Sequence, residues 1–210
     1  MRLKPHVTYF ILPTILALLV GGFFLWSVPK DQIHLFINSH HSGFTDTFFK
    51  YWTYLGEGWM FTLAIPFALF KSWRTGVQIA VTGLFTLFFT AIFKNWLYSG
   101  QPRPIEFFKG LANLRLIEGV DMAHWNSFPS GHTTAAFALW FALALAVKKK
   151  GWSLVFFCVA FLVGYSRMYL SQHFLVDVVA GAGLGLIAAS ASYIIAQSFK
   201  QPFWDKKALK

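Results

Sequence analysis

Six apolar runs constrain the fold of this chain more than any other feature of the sequence. Five of them approach or exceed the roughly 20 helical residues that cross a hydrocarbon core, and the sixth is shorter and contains Pro66. The chain is 56% hydrophobic and only 12% charged, whereas a soluble domain has about 25% charged residues. The sequence therefore predicts an all-α polytopic membrane protein with six transmembrane helices, at residues 7–28, 58–70, 75–97, 132–147, 153–170 and 173–199.

The residues that flank these runs indicate whether the first run is retained and how far the short run extends. The first run follows the basic residues Arg2 and Lys4 and has no small-residue cleavage site after it, which predicts a retained anchor. The short run 58–70 gains length if its helix extends back into the aromatic stretch 48–59. Because no repeat or linker divides the sequence, we expect residues 1–210 to form a single integral membrane domain.

The distribution of charge predicts the orientation. With six spans, both termini lie on one side, together with eleven basic residues and one acidic residue, while the other side has seven of each. The whole net charge of +10 falls on one face, which the positive-inside rule makes cytoplasmic. The basic residues are thus explained by the membrane rather than by nucleic acid, and the long loops 29–58 and 98–131 are placed outside the cytoplasm.

The stretch SRMYLSQHFLVD puts charged side chains between two apolar runs. Charge at membrane depth costs several kcal/mol unless it faces water or a protein interior, so Arg167, His173 and Asp177 are candidate functional residues. His173 and Asp177 are four positions apart, and at the start of a helix they share one face, where a carboxylate orients an imidazole. A purely structural histidine–aspartate pair would have the same pattern.

A second stretch, FPSGHTTAAF, opens the run 132–147. Pro129 favours extended geometry in the residue before it, and the next three residues fall at a helix N-terminus, which attracts anions. Gly131 permits close backbone approach, Ser130 supplies a hydroxyl, and His132 supplies a proton that titrates near neutral pH. An ordinary helix cap with a polar flank is the alternative interpretation.

A third stretch, KNWLYSGQPRP, adds two cations. Lys94 near a helix end and Arg103 in the following loop could each simply be solvated. All three stretches nevertheless fall on one membrane side, so three cations, two histidines and a helix N-terminus converge on one surface. This combination suits phosphoryl transfer, because the phosphate oxygens need positive charge and N–H donors.

Together the three stretches resemble the membrane type 2 phosphatidic acid phosphatases, a family of lipid phosphate phosphatases that shares its site with vanadium haloperoxidases. The family motif PSGH stands at 129–132, and the motif SR, five residues, H, three residues, D stands at 166–177 with its spacing intact. The first motif departs, because the family usually has six residues between Lys and Arg-Pro, whereas eight separate Lys94 from Arg103. Strict counting would put Trp96 in the lysine position, and an insertion in the turn would keep Lys94 there.

The resemblance, which rests on residues 94–177, implies a mechanism. His173 attacks phosphorus to form a phosphohistidine, Asp177 orients it, and His132 protonates the leaving oxygen. No metal or other cofactor is implied, because the phosphate is held by Lys94, Arg103, Ser130, Gly131 and Arg167. No metal-ligand spacing is found among the other histidines, His34, His40, His41 and His124.

The expected substrate is a lipid phosphate, hydrolysed at the extracytoplasmic boundary of the plasma membrane. The resemblance suggests phosphatidylglycerophosphate, undecaprenyl diphosphate or phosphatidic acid, and the sequence leaves the headgroup, the choice of mono- or diphosphate and the oligomeric state open. Two other function classes remain. One is a vanadate-dependent peroxidase, whose relatives are soluble, and the other is a lipid transporter or scramblase, which needs polar residues along the spans rather than at one end.

Overall fold

The computed structural model describes residues 5–147 and 149–209, which form nine α-helices and no β-strand. Four basic residues of the charge argument, Arg2, Lys4, Lys148 and Lys210, lie outside the described residues. The helices are α1 (Thr8–Ser27), α2 (Lys30–Asn38), α3 (Gly43–Trp52), α4 (Trp59–Leu69), α5 (Trp73–Ile92), α6 (Pro104–Phe107), α7 (Gly131–Ala146), α8 (Lys150–Tyr169) and α9 (Leu175–Ser198). The described residues also include 3₁₀ turns at Thr53–Gly56 and Pro202–Asp205 and a π-helical turn at Phe93–Leu97.

The apolar runs coincide with six of these helices to within three residues at each end, when α5 is taken together with its π-helical extension to Leu97. In the described part of the chain, four are long and apolar enough to cross a membrane: α1, α8, α9, and α5 with its extension to Leu97. The apolar helices α4 and α7 are shorter, with 11 and 16 residues. The all-helical prediction is confirmed, and the count of six spans stays a prediction. α4 does not extend back into 48–59, because Glu57 has extended backbone geometry and separates it from the preceding turn.

The core of the bundle is the packing of α7 against α9. The buried face of α7 is made largely of small residues, including Ala135, Ala136, Ala138 and Ala142. α9 approaches through two glycines, since a Cβ on Gly185 would lie 2.6 Å from Thr134 O, and a Cβ on Gly181 would lie 2.8 Å from Ser130 O. This close approach lets the N-termini of the two helices meet, where Ser130 N donates to Asp177 O (3.0 Å).

The two ends of the bundle gather different segments. The basic end is formed by the turns α4–α5 and α7–α8, the start of α1 and the C-terminal tail. There Trp73 N donates to Lys206 O (3.0 Å), and Lys150 Nζ lies 5.7 Å from the centroid of the Tyr9 ring. The site end is formed by the two long loops and the turn between α8 and α9. The short basic turns and the tail therefore meet at one end, as the charge argument expects.

Residues 29–58, expected as a long loop, contain α2 and α3. α3 begins with a capping box, in which Ser42 Oγ accepts from Thr45 N (3.2 Å) and Thr45 Oγ1 accepts from Ser42 N (3.0 Å). The Tyr169 hydroxyl donates to Asp46 Oδ1 (2.5 Å) and ties α3 to α8, while α2 packs against α8 and α9. A segment without family motifs thus covers part of the site end.

Candidate active site

The turn between α8 and α9 places the predicted histidine–aspartate pair in the interior of the site end. His173 Nδ1 lies 3.4 Å from Asp177 Oδ2, and the two side chains are only 1% and 3% exposed. The carboxylate is also fixed independently of the histidine, because Oδ2 accepts from the Ser127 hydroxyl (2.5 Å) and from Phe174 N (2.9 Å). Since Asp177 faces Nδ1, Nε2 is the His173 nitrogen left for a ligand.

The charge state of His173 follows from its surroundings. Burial lowers the pKa of His173 well below its usual value, and the positive charges of Arg103, Arg167 and Lys94 lower it further. The imidazole is therefore neutral at neutral pH and keeps a lone pair on one ring nitrogen. A neutral imidazole is the form that can act as a nucleophile.

The N-terminus of α7 is built as predicted, with Ser130 as its cap. Ser130 Oγ accepts from Thr133 N (3.4 Å) and from Thr133 Oγ1 (2.8 Å). Ser130 is fully buried, whereas Gly131 and His132 line the cavity beside it. The N–H groups of this first turn have no acceptor within the helix, so the Gly131 N–H is available to an anion.

His132 pairs with Glu57, a carboxylate that sequence reasoning did not single out. His132 Nε2 lies 3.0 Å from Glu57 Oε1, at the point where α4 begins. The hydrogen bond from His132 lowers the pKa of Glu57, and the positive charges of His132 and Arg167 add to this effect against the opposing influence of burial. Glu57 is therefore ionised at neutral pH and stabilises a proton on His132.

The π-helical turn Phe93–Leu97 determines where the first-motif lysine lies. A π-helical turn accommodates an extra residue in a helix. Lys94 lines the cavity, its Nζ donates to Asn126 O (3.0 Å), and a Cβ on Gly131 would lie 3.9 Å from its Cε. Trp96, which strict counting puts in the motif, is 84% exposed. The turn and the following loop thus accommodate the longer spacing, and Lys94 is the residue at the site.

The two predicted arginines approach the cavity from different elements. Arg103 Nε donates to Trp125 O (3.1 Å) and its NH1 donates to Gln172 Oε1 (2.9 Å). Arg167 NH1 donates to Thr53 Oγ1 (2.7 Å), and its Nε is buried without a hydrogen-bond partner among the described residues. Neither arginine, nor the lysine of the π-helical turn, forms a salt bridge with a carboxylate in residues 5–147 and 149–209. Their positive charge is therefore available to a ligand.

A cavity of about 440 Å³ brings these groups together at the site end. Six of the eight predicted site residues line it: Lys94, Arg103, Gly131, His132, Arg167 and His173. The other two are buried: Ser130 directly precedes Gly131 in the chain, and Asp177 contacts His173. The remaining lining residues are Lys50, Thr53, Tyr54, Glu57, Gly119, Val120, Asp121, Leu170 and Gln172. No group of three or more His, Cys, Asp or Glu side chains suited to a metal ion is found in the described part of the chain.

Four residues of the site escaped sequence reasoning: Thr53, Glu57, Ser127 and Gln172. Each bonds a predicted residue 50 to 114 positions away, a separation that no helical or turn periodicity reaches. Glu57 had one usable signal, since it is a carboxylate at the edge of an apolar run. Ser127 lies just before the PSGH motif and Gln172 lies inside the 166–177 motif, whereas Thr53 had no signal in the sequence.

A helical membrane bundle with a cationic cavity around two histidines is the arrangement expected of a membrane phosphatase. The family model of the PAP2 superfamily matches residues 73–201, and the chain belongs to this superfamily. The resemblance recognised from the motifs is thereby confirmed. With its apolar helices, the chain is a multi-pass membrane protein.

Individual relatives match over different lengths. The lipid A 4′-phosphatase of Bacteroides thetaiotaomicron is 29% identical over 170 residues, which are 79% of this chain and 76% of that protein. The bacitracin transport permease protein BcrC of Bacillus licheniformis is 45% identical over 64 residues, and the undecaprenyl-diphosphatase BcrC of Bacillus subtilis is 41% identical over 61 residues. These two matches span about a third of the BcrC proteins, 30% and 31% of their lengths. The crystal structure of Aquifex aeolicus LpxE superposes with a TM-score of 0.68 at 28% identity, covering 80% of this chain and 94% of that one.

Proposed function

We propose that this protein hydrolyses the phosphate ester or diphosphate of a membrane lipid through a phosphohistidine intermediate. The observation that carries the proposal is the cavity of the site end, where a buried neutral His173 lies among three cations that have no carboxylate partner among the described residues. Such cations attract a phosphate group and stabilise the charge on its oxygens in the transition state. The similarity to a lipid A 4′-phosphatase supports hydrolysis of a lipid phosphate.

The reaction has two steps. In the first, Nε2 of His173 bonds to phosphorus while the bond from phosphorus to the lipid oxygen breaks, and this oxygen takes a proton from His132. In the second, His132 accepts a proton from water, the oxygen of that water bonds to phosphorus, and the phosphorus–nitrogen bond breaks. Asp177 fixes the orientation of His173, and the charge of Glu57 favours the protonated form of His132 that the first step needs.

The phosphate oxygens are held by Lys94, Arg103, Ser130, Arg167 and the Gly131 N–H. Arg167 lines the cavity, and its buried Nε has no partner in the described chain, a state that costs about 1–3 kcal/mol until an acceptor is supplied. The Ser130 hydroxyl accepts from Thr133 and keeps its own proton for the ligand. These cations supply the charge stabilisation that metal ions supply in other hydrolases, so we propose a metal-independent reaction.

The proposed topology has six spans in the plasma membrane, one domain over residues 1–210, both termini in the cytoplasm and the site outside it. The net charge of +10 and the meeting of the short basic turns with the C-terminal tail at the basic end support this orientation. The substrate phosphate then enters from the extracytoplasmic face. Candidate substrates are phosphatidylglycerophosphate, undecaprenyl diphosphate and phosphatidic acid, to which the relatives add lipid A.

Lipid transport is the second function considered, because one relative is named a permease and α5 has a row of buried polar residues, Thr75, Gln78, Thr82 and Thr86. The sequence analysis placed the polar residues at one end of the spans and did not identify this row. Two of its hydroxyls bond to the helix itself, with Thr82 Oγ1 donating to Gln78 O (2.7 Å) and Thr86 Oγ1 donating to Thr82 O (2.9 Å). Hydroxyls engaged in this way do not favour a path for a headgroup, and hydrolysis remains the better account.

The test is phosphate release by the purified protein from a panel of lipid phosphates in EDTA. We expect release from at least one lipid, competitive inhibition by vanadate, and no release by His173→Ala. Loss of activity in EDTA that Mg²⁺ restores would contradict the metal-independent reaction. Lipid movement across liposome membranes without phosphate release would favour transport instead.

A further inference from the structure

The turn that carries the proposed nucleophile contains a residue in an unusual backbone conformation. Ser171 follows the end of α8 and has a φ of 52°, in the left-handed region that few residues other than glycine adopt. Ser171 N donates to Met168 O (3.0 Å), and Gln172 N donates to Arg167 O (2.9 Å). These are the two hydrogen bonds of a Schellman motif, in which this position is most often glycine.

The side chain that makes Ser171 different from glycine contacts α2, a helix without family motifs. Asn38 Nδ2 donates to Ser171 Oγ (3.1 Å), and His34 Nε2 lies 3.2 Å from the same oxygen. Ser171 is fully buried, and His34 and Asn38 are nearly so, so bulk water does not replace these contacts. The hydroxyl thus anchors a strained turn to a second helix.

Asn38 joins this anchor to the long loop over the site. Its Oδ1 accepts from Arg115 N, and its Nδ2 donates to Arg115 O, both at 2.9 Å. With the bond to Ser171, the amide uses its carbonyl and both N–H groups. Asn38 is therefore fixed in one orientation, and its second N–H is directed at the serine oxygen.

His34 completes the anchor as a neutral ring. It packs against Phe108 and Phe174, with ring centroids 5.6 and 5.3 Å away. Burial lowers the pKa of His34 to about 4, so the ring is neutral at neutral pH. Since Ser171 Oγ accepts from Asn38, its own hydroxyl proton is free to be donated to His34 Nε2. Its Nδ1 is buried without a partner in the described chain, so Ser171 is the polar group that orients this ring.

The residues that follow Ser171 connect to the proposed chemistry. Gln172 Oε1 accepts from Arg103 NH1 (2.9 Å), and His173 N donates to Arg167 O (3.1 Å). A change in the φ of Ser171 would turn both residues together, because they continue the same chain. The distance between the nucleophile and the phosphate-binding cations therefore depends on the conformation of Ser171.

We propose that His34 and Asn38 are positioning residues for phosphoryl transfer, which hold Ser171 in its left-handed conformation and thereby set the direction from which His173 attacks. The inference rests on the proposed function. It adds a role for α2, a helix that contributes none of the described residues lining the cavity. Because neither side chain lines the cavity, replacing either one should lower kcat and leave KM nearly unchanged.

Three variants of α2 and its end test the anchor. His34→Phe keeps an aromatic ring but removes the acceptor, and we expect kcat to fall about 5- to 10-fold, with KM within about twofold of wild type. His34→Gln retains an amide oxygen near the Nε2 position and should restore most of kcat. His40→Phe changes an exposed imidazole just after α2 and serves as the control, with wild-type kinetics. A folded His34→Phe protein with wild-type kcat would overturn the proposal.

Variants of Ser171 separate the hydroxyl from the backbone. Glycine adopts a positive φ without strain, so Ser171→Gly should lose less kcat than Ser171→Ala but remain below wild type. In the Ser171→Gly background, His34→Phe should cause no further loss, because it acts through the missing hydroxyl. Additive losses, or a Ser171→Gly protein as fast as wild type, would contradict the inference. Absence of lipid phosphate hydrolysis by the wild type would contradict the proposed function instead.

Discussion

The two ends of the bundle hold their arginines in opposite states. At the basic end, Arg74 donates to Asp205 through Nε and NH2 (2.7 and 3.1 Å) and to two carbonyls at the C-terminus of α9 through NH1 (2.5 and 2.9 Å). At the site end, Arg167 has one side-chain bond, to Thr53, and its buried Nε has no partner among the described residues. Arg74 thus uses four of its five N–H donors, whereas Arg167 has a buried donor without a partner among the described residues.

Neither cavity size nor the presence of cations distinguishes the site end from the basic end as a place for phosphate to bind. The cavity of the basic end, about 490 Å³, is larger than that of the site end, about 440 Å³, and it is lined by Lys71, Arg74 and Lys200. There, however, Lys71 donates to Ala146 O at the end of α7, and Asp205 neutralises the arginine. An anion that binds Lys71 or Arg74 has to displace these existing acceptors. Available donors, rather than formal charge, therefore distinguish the phosphate site.

Replacing the histidines of the site end should have the largest effect. His173→Ala removes the nucleophile, and we expect kcat/KM to fall by about 10⁴-fold or more on every substrate. His132→Ala removes a proton donor, worth about 10²- to 10⁴-fold on an alkyl phosphate, but it should cost far less on p-nitrophenyl phosphate, whose leaving group needs no proton. The measurement is the ratio of the two rates, with His40→Ala as the control. Equal losses for both variants on both substrates would contradict the assigned roles.

A matched pair of arginine variants tests the comparison of the ends directly. Arg167→Met removes a cation that lines the cavity and has no carboxylate partner among the described residues, so kcat/KM should fall about 10²- to 10³-fold and vanadate should inhibit more weakly. Arg74→Met removes a cation that is already satisfied and partly exposed, so kcat/KM should stay within about threefold of wild type. Similar losses in the two variants would mean that formal charge, not donor availability, governs the site.

Glu57→Gln should have the smallest effect and is best seen in the pH dependence. The pKa of Glu57 is lowered, so the carboxylate is charged at neutral pH and helps His132 keep its proton. Without that charge the proton is lost at lower pH, and the basic limb of the kcat profile for an alkyl phosphate should move down by about one pH unit. The limb for p-nitrophenyl phosphate should not move. An unchanged alkyl phosphate profile would remove Glu57 from the mechanism.

Much of the fold could be predicted from the sequence, because a membrane helix needs a continuous apolar run and satisfies its own backbone. That rule located six helices closely. It could not find α2 and α3, which have 9 and 10 residues and pack against the bundle without a long apolar run. It also could not foresee the π-helical turn that keeps Lys94 at the site, since the turn depends on the local backbone rather than on composition.

The candidate site was predicted unevenly for a related reason. Short motifs fix residues that are neighbours in a turn or along one helix face, such as His173 and Asp177. Partners that come from distant segments, such as Thr53 for Arg167, depend on how helices pack and have no periodic signal. Ser171 is an intermediate case, because it lies inside a recognised motif while its φ and its contacts with α2 are set by tertiary structure.

The most direct test of the central claim is to trap the phosphorylated enzyme. A substrate with radiolabelled phosphate is mixed with the protein and quenched in alkali, because phosphohistidine is labile in acid, and the label is mapped by peptide analysis. The account predicts label on His173 in the wild type and in Arg74→Met, more label in His132→Ala with a p-nitrophenyl substrate, and none in His173→Ala. Steady hydrolysis with no label on either the wild type or His132→Ala would contradict the account and favour direct attack by water.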